Sequence, residues 1–484
     1  MQLHKKLLFL VLQNSIYDRI LKTKNIKTGG KMSFKNKVIK AKCVKIVFPG
    51  RSFCECEDNK VLFCEGLLPS EEAEVLVVRD TASFREGYVK NIVVNSIDRR
   101  KPLCLSFGSC GGCSFQHLDY EKQVEYKKFY LNEILKPVNC EVKEIFKPSE
   151  ILNYRNKMEF SFFHNVQEGR SDIGLHCRGR FNKYVSVPPC FIADKSFLKI
   201  LEIVRDFANK NNFTVYDNKT HQGFLRHLVL RKAQNNNQLL VNIVTNSNFT
   251  CLSEKMKLLA KELAIYADSV YWTSNSKLSD AVLADNLLLL EGKENIVEKL
   301  NVNKRDYFFN ISPFSFFQTN SKGTEILYNA ADELLDLNEN DNLLDLYCGT
   351  GTIGISLSQK AKHITGVDEN EQSIENARQN AILNQVKNAS FVVRKAQAFS
   401  EECREEFSAI VVDPPRAGLV KEVIDFLTNS KAKKLLYISC NPSTLARDIN
   451  LILKNSKISV KSVLAVDMFP QTYHIETIVL FSKH

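Results

Sequence analysis

The stretch Asp345-Leu346-Tyr347-Cys348-Gly349-Thr350-Gly351-Thr352 decides the fold, because an apolar run gives way there to a helical pattern. The run Leu343–Leu346 predicts a buried strand, and the segment 353–360 predicts the helix that follows it. Gly349 and Gly351 let the backbone turn tightly and approach a ligand closely. Since open α/β sheets bind ligands at the carboxyl ends of their strands, this turn is a candidate ligand site.

The same alternation continues to the end of the chain. Further strands are predicted at Ile364–Val367, Ala409–Val412 and Leu435–Ile438, with helices around 370–384, 419–428 and 443–454. Such alternation is typical of a parallel sheet covered on both faces. Thr477–Phe481 has no helix after it and is expected to join the sheet as an antiparallel strand. We therefore predict an α/β, Rossmann-like domain over residues 306–484.

The residues before this domain follow other patterns. Residues 36–97 hold short strand candidates that predict a small β-barrel, and residues 98–305 predict a mixed α+β central domain. Two basic patches of the central domain, 154–157 and 226–231, are interpreted as solvated strand faces. Residues 1–35 are expected to be an extension, disordered or arising from a mis-assigned start. Their apolar run is too short to span a bilayer.

Composition limits the partners and the compartment. The 484-residue chain carries a formal charge of +11, which favours an acidic polymer such as RNA, although a generally Lys-rich proteome would explain it as well. It has 14 cysteines and no convincing export signal, which indicates a reducing cytoplasm where clustered cysteines bind metal more often than they form disulfides. We expect a cytoplasmic protein with no membrane segment and no obligate protein partner.

An acidic residue completes the predicted ligand site. Asp368 ends the second strand and supplies the carboxylate that ribose hydroxyls would need. Gly-x-Gly followed by such an acid favours an adenosine ligand. The third glycine of the dinucleotide fingerprint is missing, so S-adenosylmethionine, which has no phosphate, fits better than a pyrophosphate.

Two further motifs close the next strands and carry the chemistry. Asp413-Pro414-Pro415-Arg416 closes one, and Ser439-Cys440-Asn441-Pro442 closes the other. Cys440 is the candidate nucleophile. A thiolate that adds to carbon 6 of uracil makes carbon 5 reactive toward a sulfonium methyl, and a base, here Glu476, must then remove the carbon 5 proton. Since an ordinary thiol is mostly protonated at neutral pH, nearby basic groups are expected to lower the pKa of Cys440.

The ordered motifs resemble those of the RNA uridine-5-methyltransferase family. They are Phe317–Asn320, Asp345–Gly351, Asp413–Gly418, Ser439–Asp448 and Asp467–Glu476, and the resemblance covers about residues 36 to 484. The resemblance implies a class I methyltransferase sheet and makes residues 36–97 similar to a TRAM RNA-binding domain.

The resemblance also implies a role for individual residues. Cys440 matches the nucleophile and Glu476 the base. Four residues match positions that contact S-adenosylmethionine: Gln318, Tyr347, Asp368 and Asp413. Asp368 stands where Glu is usual, which shortens its reach to the ribose, and Thr352 stands where many members have Asn.

A cysteine cluster lies in the central domain, with Cys104, Cys110 and Cys113 closely spaced. Together with a fourth thiolate they would suit either tetrahedral zinc or an iron–sulfur cluster. The spacing resembles that of the ribosomal-RNA branch of the family, which implies a 4Fe–4S cluster with Cys190 as the fourth ligand. Cys177 is the alternative fourth ligand.

The resemblance implies methylation of a uridine in RNA, with 23S ribosomal RNA favoured over tRNA. Two alternatives stay open at this point. A cytosine-5 RNA methyltransferase also uses a cysteine, and a metal-stabilised RNA-binding protein could retain the domain without catalysis.

Overall fold

The computed structural model describes residues 33–187, 189–247, 252–280 and 282–483. Within these residues the chain forms two compact units, one ending at Lys101 but including His117–Ile134, the other comprising Pro102–Gln116 and everything from Leu135 onward. The predicted extension 1–35 lies almost wholly outside the described residues. No helix among the described residues is long and apolar enough to cross a membrane.

The first unit contains a closed five-stranded barrel, as the short strand patterns predict. Its strands are β1 (Val38–Val47), β2 (Arg51–Cys56), β3 (Val61–Cys64), β4 (Glu72–Asp80) and β5 (Phe84–Val94), and helix α1 covers Tyr120–Leu135. Neighbouring strands follow the order β1-β2-β3-β5-β4. Alternate residues point inward, so Cys54, Leu62 and Val75 are fully buried in the barrel core.

The second unit begins with a seven-stranded sheet. Its strands are β7 (Lys157–Asn165), β8 (Arg170–Cys177), β9 (Arg180–Ser186), β10 (Leu225–Ala233), β11 (Gln238–Thr245), β12 (Ser269–Ser274) and β13 (Asn286–Gly292). Helices α2 (Phe197–Lys210) and α3 (Ser253–Leu263) pack on one face, where Phe160, Leu228 and Ile200 are fully buried. A two-stranded ribbon follows, with β14 at Ile296–Val302 and β15 at Arg305–Ile311.

The interpretation of the two basic patches as solvated strand faces is wrong. Every residue of β10 is buried. Arg226 donates to the carbonyl oxygens of Asn275 and Lys277 at 2.8 and 2.7 Å. Arg231 donates to the carbonyls of residues 312 and 315, both at 2.6 Å. These arginines donate hydrogen bonds to carbonyl groups in loops, outside the paired strands. The arginines therefore hold these loops in place.

The C-terminal sheet has eight strands. They are β6 (Glu144–Phe146), β16 (Asn342–Leu346), β17 (His363–Asp368), β18 (Ala389–Val393), β19 (Ala409–Val412), β20 (Lys434–Ser439), β21 (Ile458–Val466) and β22 (Glu476–Lys483). The order is β18-β17-β16-β19-β20-β22-β21-β6. The six helices are α4 (Ser321–Leu335), α5 (Thr352–Leu357), α6 (Glu371–Leu383), α7 (Ala396–Glu402), α8 (Lys421–Asn429) and α9 (Pro442–Ile452).

The predicted alternation of strand and helix is confirmed, and the final strand is antiparallel to β20 as expected. The sheet also takes in β6, three residues from the predicted central domain, in parallel pairing with β21. A strand of that length leaves no periodic signal in the sequence.

Candidate functional site

The turn between β16 and α5 has a backbone shaped for a ligand. Tyr347 adopts a φ of 65° and Gly349 and Gly351 adopt 53° and 76°, so a side-chain-bearing residue is held in the left-handed region at the end of the strand. Such a conformation costs about 1–3 kcal/mol and is concentrated at functional sites. At Gly351 an added Cβ would lie 2.9 Å from the Phe391 ring, so no other residue fits there.

Asp368 bonds to this turn, and Gln318 lines the same cavity as the turn. Asp368 ends β17, and its Oδ2 accepts a hydrogen bond from the Gly349 amide at 3.0 Å. Gln318 lies just before α4, and Asn156, next to β7, donates to its carbonyl at 3.1 Å. Residues far apart in sequence therefore fix the position of Gln318.

The register of the sheet brings Cys440 and Glu476 together. Cys440 directly follows β20, and Glu476 is the first residue of β22. The two strands run antiparallel with Ser439 opposite Thr477. The end of one strand and the start of the other consequently lie at the same edge of the sheet, beside Asp413 at the end of β19.

All six of these predicted residues line one cavity of about 830 Å³, which we call the carboxylate cavity. Its lining includes Gln318, Tyr347, Asp368, Asp413, Cys440 and Glu476. A volume of this size fits a nucleoside-sized ligand, and carboxylates grouped with an aromatic ring suit a cationic adenosine compound. The residues present therefore fit S-adenosylmethionine.

Burial and like charge dominate the electrostatics of this cavity. Burial raises the pKa of Glu476 to about 8, with a further contribution from Asp413, while Arg416 lowers it. Burial also raises the pKa of Asp413 to about 7. Two carboxyl groups in one cavity with raised pKa values are typical of a catalytic site.

The expected lowering of the Cys440 pKa is wrong for the protein by itself. Burial raises the pKa of this thiol to about 11, and the charges of Glu476 and Asp413 add to the rise. Arg416 acts in the expected direction, but it is outweighed. The sequence contains Arg416, but it does not show that Glu476 and Asp413 share a cavity with it.

Among the lining residues without a role predicted from the sequence, Arg155, Thr319 and His474 line both the carboxylate cavity and a second cavity, so the two cavities adjoin. Arg155 belongs to a patch interpreted as a solvated face. His474 lies inside a quoted motif, where its spacing from Glu476 was the only available signal.

The second cavity, about 540 Å³, is lined by Cys104, Cys110, Cys113 and Cys190, and we call it the cysteine cavity. Burial raises the pKa of Cys113 to about 12, and the neighbouring cysteines contribute to the rise. Cys177 pairs with Cys110 through its backbone but does not belong to the described lining.

Several thiols of the cysteine cavity accept hydrogen bonds. Gly112 N–H donates to Cys110 Sγ at 3.4 Å, and Gln116 Nε2 donates to Cys113 Sγ at 3.3 Å. Backbone amides near Cys190 bond to its sulfur as well. Such bonds stabilise thiolates bound to iron. Among the described residues, however, no group of three or more His, Cys, Asp or Glu side chains is arranged to hold a single metal ion.

Known proteins resemble the chain over nearly its whole length. Residues 283–484 match the family model described as tRNA (Uracil-5-)-methyltransferase. An uncharacterized RNA methyltransferase of Caldanaerobacter subterraneus is 35% identical over 454 residues, 93% of this chain and 99% of the relative. One from Fusobacterium nucleatum is 31% identical over 471 residues, 96% and 100% of the two chains.

A solved structure is similar as well. The crystal structure of Pyrococcus abyssi tRNA (uracil-54, C5)-methyltransferase in complex with S-adenosyl-L-homocysteine has a TM-score of 0.72 and 29% identity. The match covers 91% of this chain and 100% of that chain.

Proposed function

The chain belongs to the S-adenosylmethionine-dependent RNA uracil-5-methyltransferase family, and on that premise we propose that it methylates a uridine of 23S ribosomal RNA through a covalent bond to Cys440. The observation that carries this proposal is the position of Cys440 and Glu476 at one edge of the sheet, in one cavity. Family membership speaks against the cytosine-5 and the non-catalytic alternatives.

Cys440 acts first as the nucleophile. Its thiolate adds to carbon 6 of the uracil ring, which shifts the ring electrons so that carbon 5 becomes nucleophilic. Bound S-adenosylmethionine would supply the electrophilic methyl group. Because Cys440 carries a raised pKa, the thiolate needs a nearby positive charge, and Arg416 already contributes one.

Glu476 completes the reaction as the base. It removes the proton from carbon 5, the ring electrons return, and the bond between Cys440 and carbon 6 breaks to release the thiolate. Glu476 is 4% exposed, so bulk water has little access to its carboxylate. Its pKa of about 8 places a base of suitable strength beside the ring.

Four residues are proposed to hold S-adenosylmethionine. Asp368 would accept hydrogen bonds from the ribose hydroxyls, and Tyr347 would lie against the ligand where the strained turn presents it. Gln318 and Asp413 line the same cavity and would bind the polar groups of the ligand.

The cysteine cavity is proposed to hold a 4Fe–4S cluster through Cys104, Cys110, Cys113 and Cys190. The four thiols share one cavity, and at least three of them accept N–H hydrogen bonds. A cubane cluster spreads its ligands over four irons, so its thiols need not converge on one point as they do around a single ion. The cluster would stabilise the fold around it.

The ribosomal target rests on the resemblance of the cysteine spacing to the ribosomal-RNA branch. A second candidate is tRNA, which the solved relative of similar fold methylates according to its name. In either RNA the uridine must leave the base stack to reach a buried thiol, so an unpaired or loop nucleotide is the expected target.

RNA that contains 5-fluorouridine tests the chemistry. Fluorine cannot be removed as a cation, so the protein should remain covalently bound to the RNA, and peptide mapping should find the bond at Cys440. Cys440→Ala should form no adduct, while Cys403→Ala, a matched change in another half-buried cysteine, should form it normally. Absence of any adduct with the unaltered protein would contradict the proposal.

Mapping of 5-methyluridine in RNA from a deletion strain tests the target. Loss of the modification from 23S ribosomal RNA alone would support the first candidate. Loss from tRNA alone would support the second.

A further inference from the structure

The loop that leads into Glu476, residues 467–475, joins β21 to β22, and we call it the base loop. It turns sharply, since Gln471 adopts a φ of 68°. Within it, Thr472 Oγ1 donates to the carbonyl of Phe469 at 2.8 Å and accepts from the His474 amide at 3.1 Å. These bonds couple the position of Gln471 to that of the residues just before Glu476.

The segment after Cys113 holds the base loop at its tip. The amides of Ser114 and Phe115 both donate to the carbonyl of Gln471, at 3.0 and 2.9 Å. Two donors on one carbonyl fix its direction as well as its distance. Ser114 directly follows Cys113, so the chain that lines the cysteine cavity also holds the base loop.

A second anchor comes from the residue next to Arg155. The hydroxyl of Tyr154 donates to the carbonyl of Pro470 at 2.9 Å, and the side chain is 1% exposed. In addition, Asn320 Nδ2 donates to the carbonyl of Met468 at 2.9 Å. Three carbonyls of the base loop, those of Met468, Pro470 and Gln471, are thus held by different parts of the second unit.

We propose that Tyr154 and the Ser114–Phe115 backbone are positioning residues for Glu476, and that the cysteine cavity influences methylation through them. This inference rests on the proposed role of Glu476 as base. A base displaced by even 1 Å can lose a large part of its rate contribution. The anchors bond to the base loop, which leads into Glu476, whereas Cys440 follows β20, a different element.

The variant Tyr154→Phe tests the proposal in the full-length protein with its cysteine centre intact. Turnover is expected to fall about tenfold. If only the base step slows, the methylated RNA stays attached to Cys440, so an adduct with ordinary RNA should accumulate on denaturing gels. Trapping by 5-fluorouridine RNA needs no proton removal and should keep its normal rate.

Tyr271→Phe is the matched control. Its hydroxyl also donates to a backbone carbonyl, that of Glu294 at 2.6 Å, which lies outside the base loop. This control should show normal turnover and no accumulated adduct. Ser114→Pro, which removes one of the two amide donors, is a second variant should Tyr154→Phe fold poorly.

Hydrogen exchange provides a readout that does not depend on catalysis. The amides of residues 472–476 should exchange faster in Tyr154→Phe than in Tyr271→Phe. Equal exchange, unchanged turnover, or an equal loss of trapping and turnover would each overturn the positioning role. A failure of the unaltered protein to trap 5-fluorouridine RNA would instead contradict the proposed function, and the exchange measurement would still decide the positioning role.

Discussion

The carboxylate cavity and the cysteine cavity both contain thiols, but the groups around these thiols differ. In the first, one thiol, Cys440, has a pKa raised by burial and further by the charges of Glu476 and Asp413. In the second, four thiols lie together, and burial, with a contribution from neighbouring thiols, raises the pKa values of Cys110, Cys113 and Cys190. In both cavities a nearby positive charge would favour the thiolate: the sulfonium of S-adenosylmethionine in one and, under the proposal above, iron in the other.

The difference lies in how each thiol is held. Cys113 is fixed by the side chain of Gln116, and Cys190 by backbone amides of the following turn. Cys440 lies at a strand end where its main partners are charges across an open volume. The first arrangement suits a permanent ligand, and the second suits a group that must form and break a bond in each cycle.

Of the changes that test the difference between the two cavities, removal of the proposed base should have the largest effect. Glu476→Gln is expected to lower turnover by about 100- to 10,000-fold, because an amide cannot act as the proposed base for the carbon 5 proton. The covalent adduct with ordinary RNA should accumulate. Release of free methylated RNA and gel-shifted adduct are the two measurements, with exposed Glu371→Gln as the control. Normal turnover in Glu476→Gln would assign the base elsewhere.

The pH dependence of Cys440 tests its electrostatic surroundings. Only the thiolate reacts, and the thiol pKa is about 11, so alkylation of Cys440 should rise about tenfold per pH unit between pH 7 and 9. S-adenosylmethionine should increase the rate at pH 7, whereas S-adenosylhomocysteine, which lacks the sulfonium charge, should not. Peptide mass spectrometry measures the extent of alkylation. A plateau below pH 9 without ligand would show that the thiol is already activated.

The proposed fourth ligand of the cysteine cavity can be identified by substitution. Cys190→Ala should lose bound iron and lower the melting temperature by several degrees, since a ligand set of three thiols holds a cluster less tightly. Cys177→Ala should keep its iron. Iron and sulfide analysis of the two purified variants decides between them, and iron loss in Cys177→Ala alone would reverse the assignment.

The smallest effect is expected at Arg416, the positive group that lowers the pKa of both Cys440 and Glu476. In Arg416→Gln both pKa values should rise further, so turnover at pH 7.5 should fall about three- to tenfold. Raising the pH should restore most of it, because the two groups then ionise without help. Arg404→Gln, remote from the cavity, is the control. A loss that does not recover at higher pH would indicate that Arg416 binds RNA instead.

Much of the C-terminal sheet could be predicted because its strands are buried on both faces. Continuous apolar runs such as Leu343–Leu346 and Ala409–Val412 mark such strands clearly, and the residues that end them follow directly. Residues of the barrel strands alternate between core and solvent, and this alternation is also visible in the sequence. The burial of the basic patches could not be predicted, because a buried arginine that binds backbone carbonyls has the same sequence signature as an exposed one.

The sequence by itself determined which residues are candidates for the chemistry, because Cys440, Glu476, Asp413 and the four cysteines lie within short motifs. Only the tertiary structure decided how they act together. The pairing of β20 with β22 places Glu476 beside Cys440, and the raised pKa of that thiol follows from its burial, with further contributions from Glu476 and Asp413. The hydrogen bonds from Ser114 and Phe115 to the base loop span most of the chain. Local residue patterns cannot encode such contacts, because they depend on how distant segments pack.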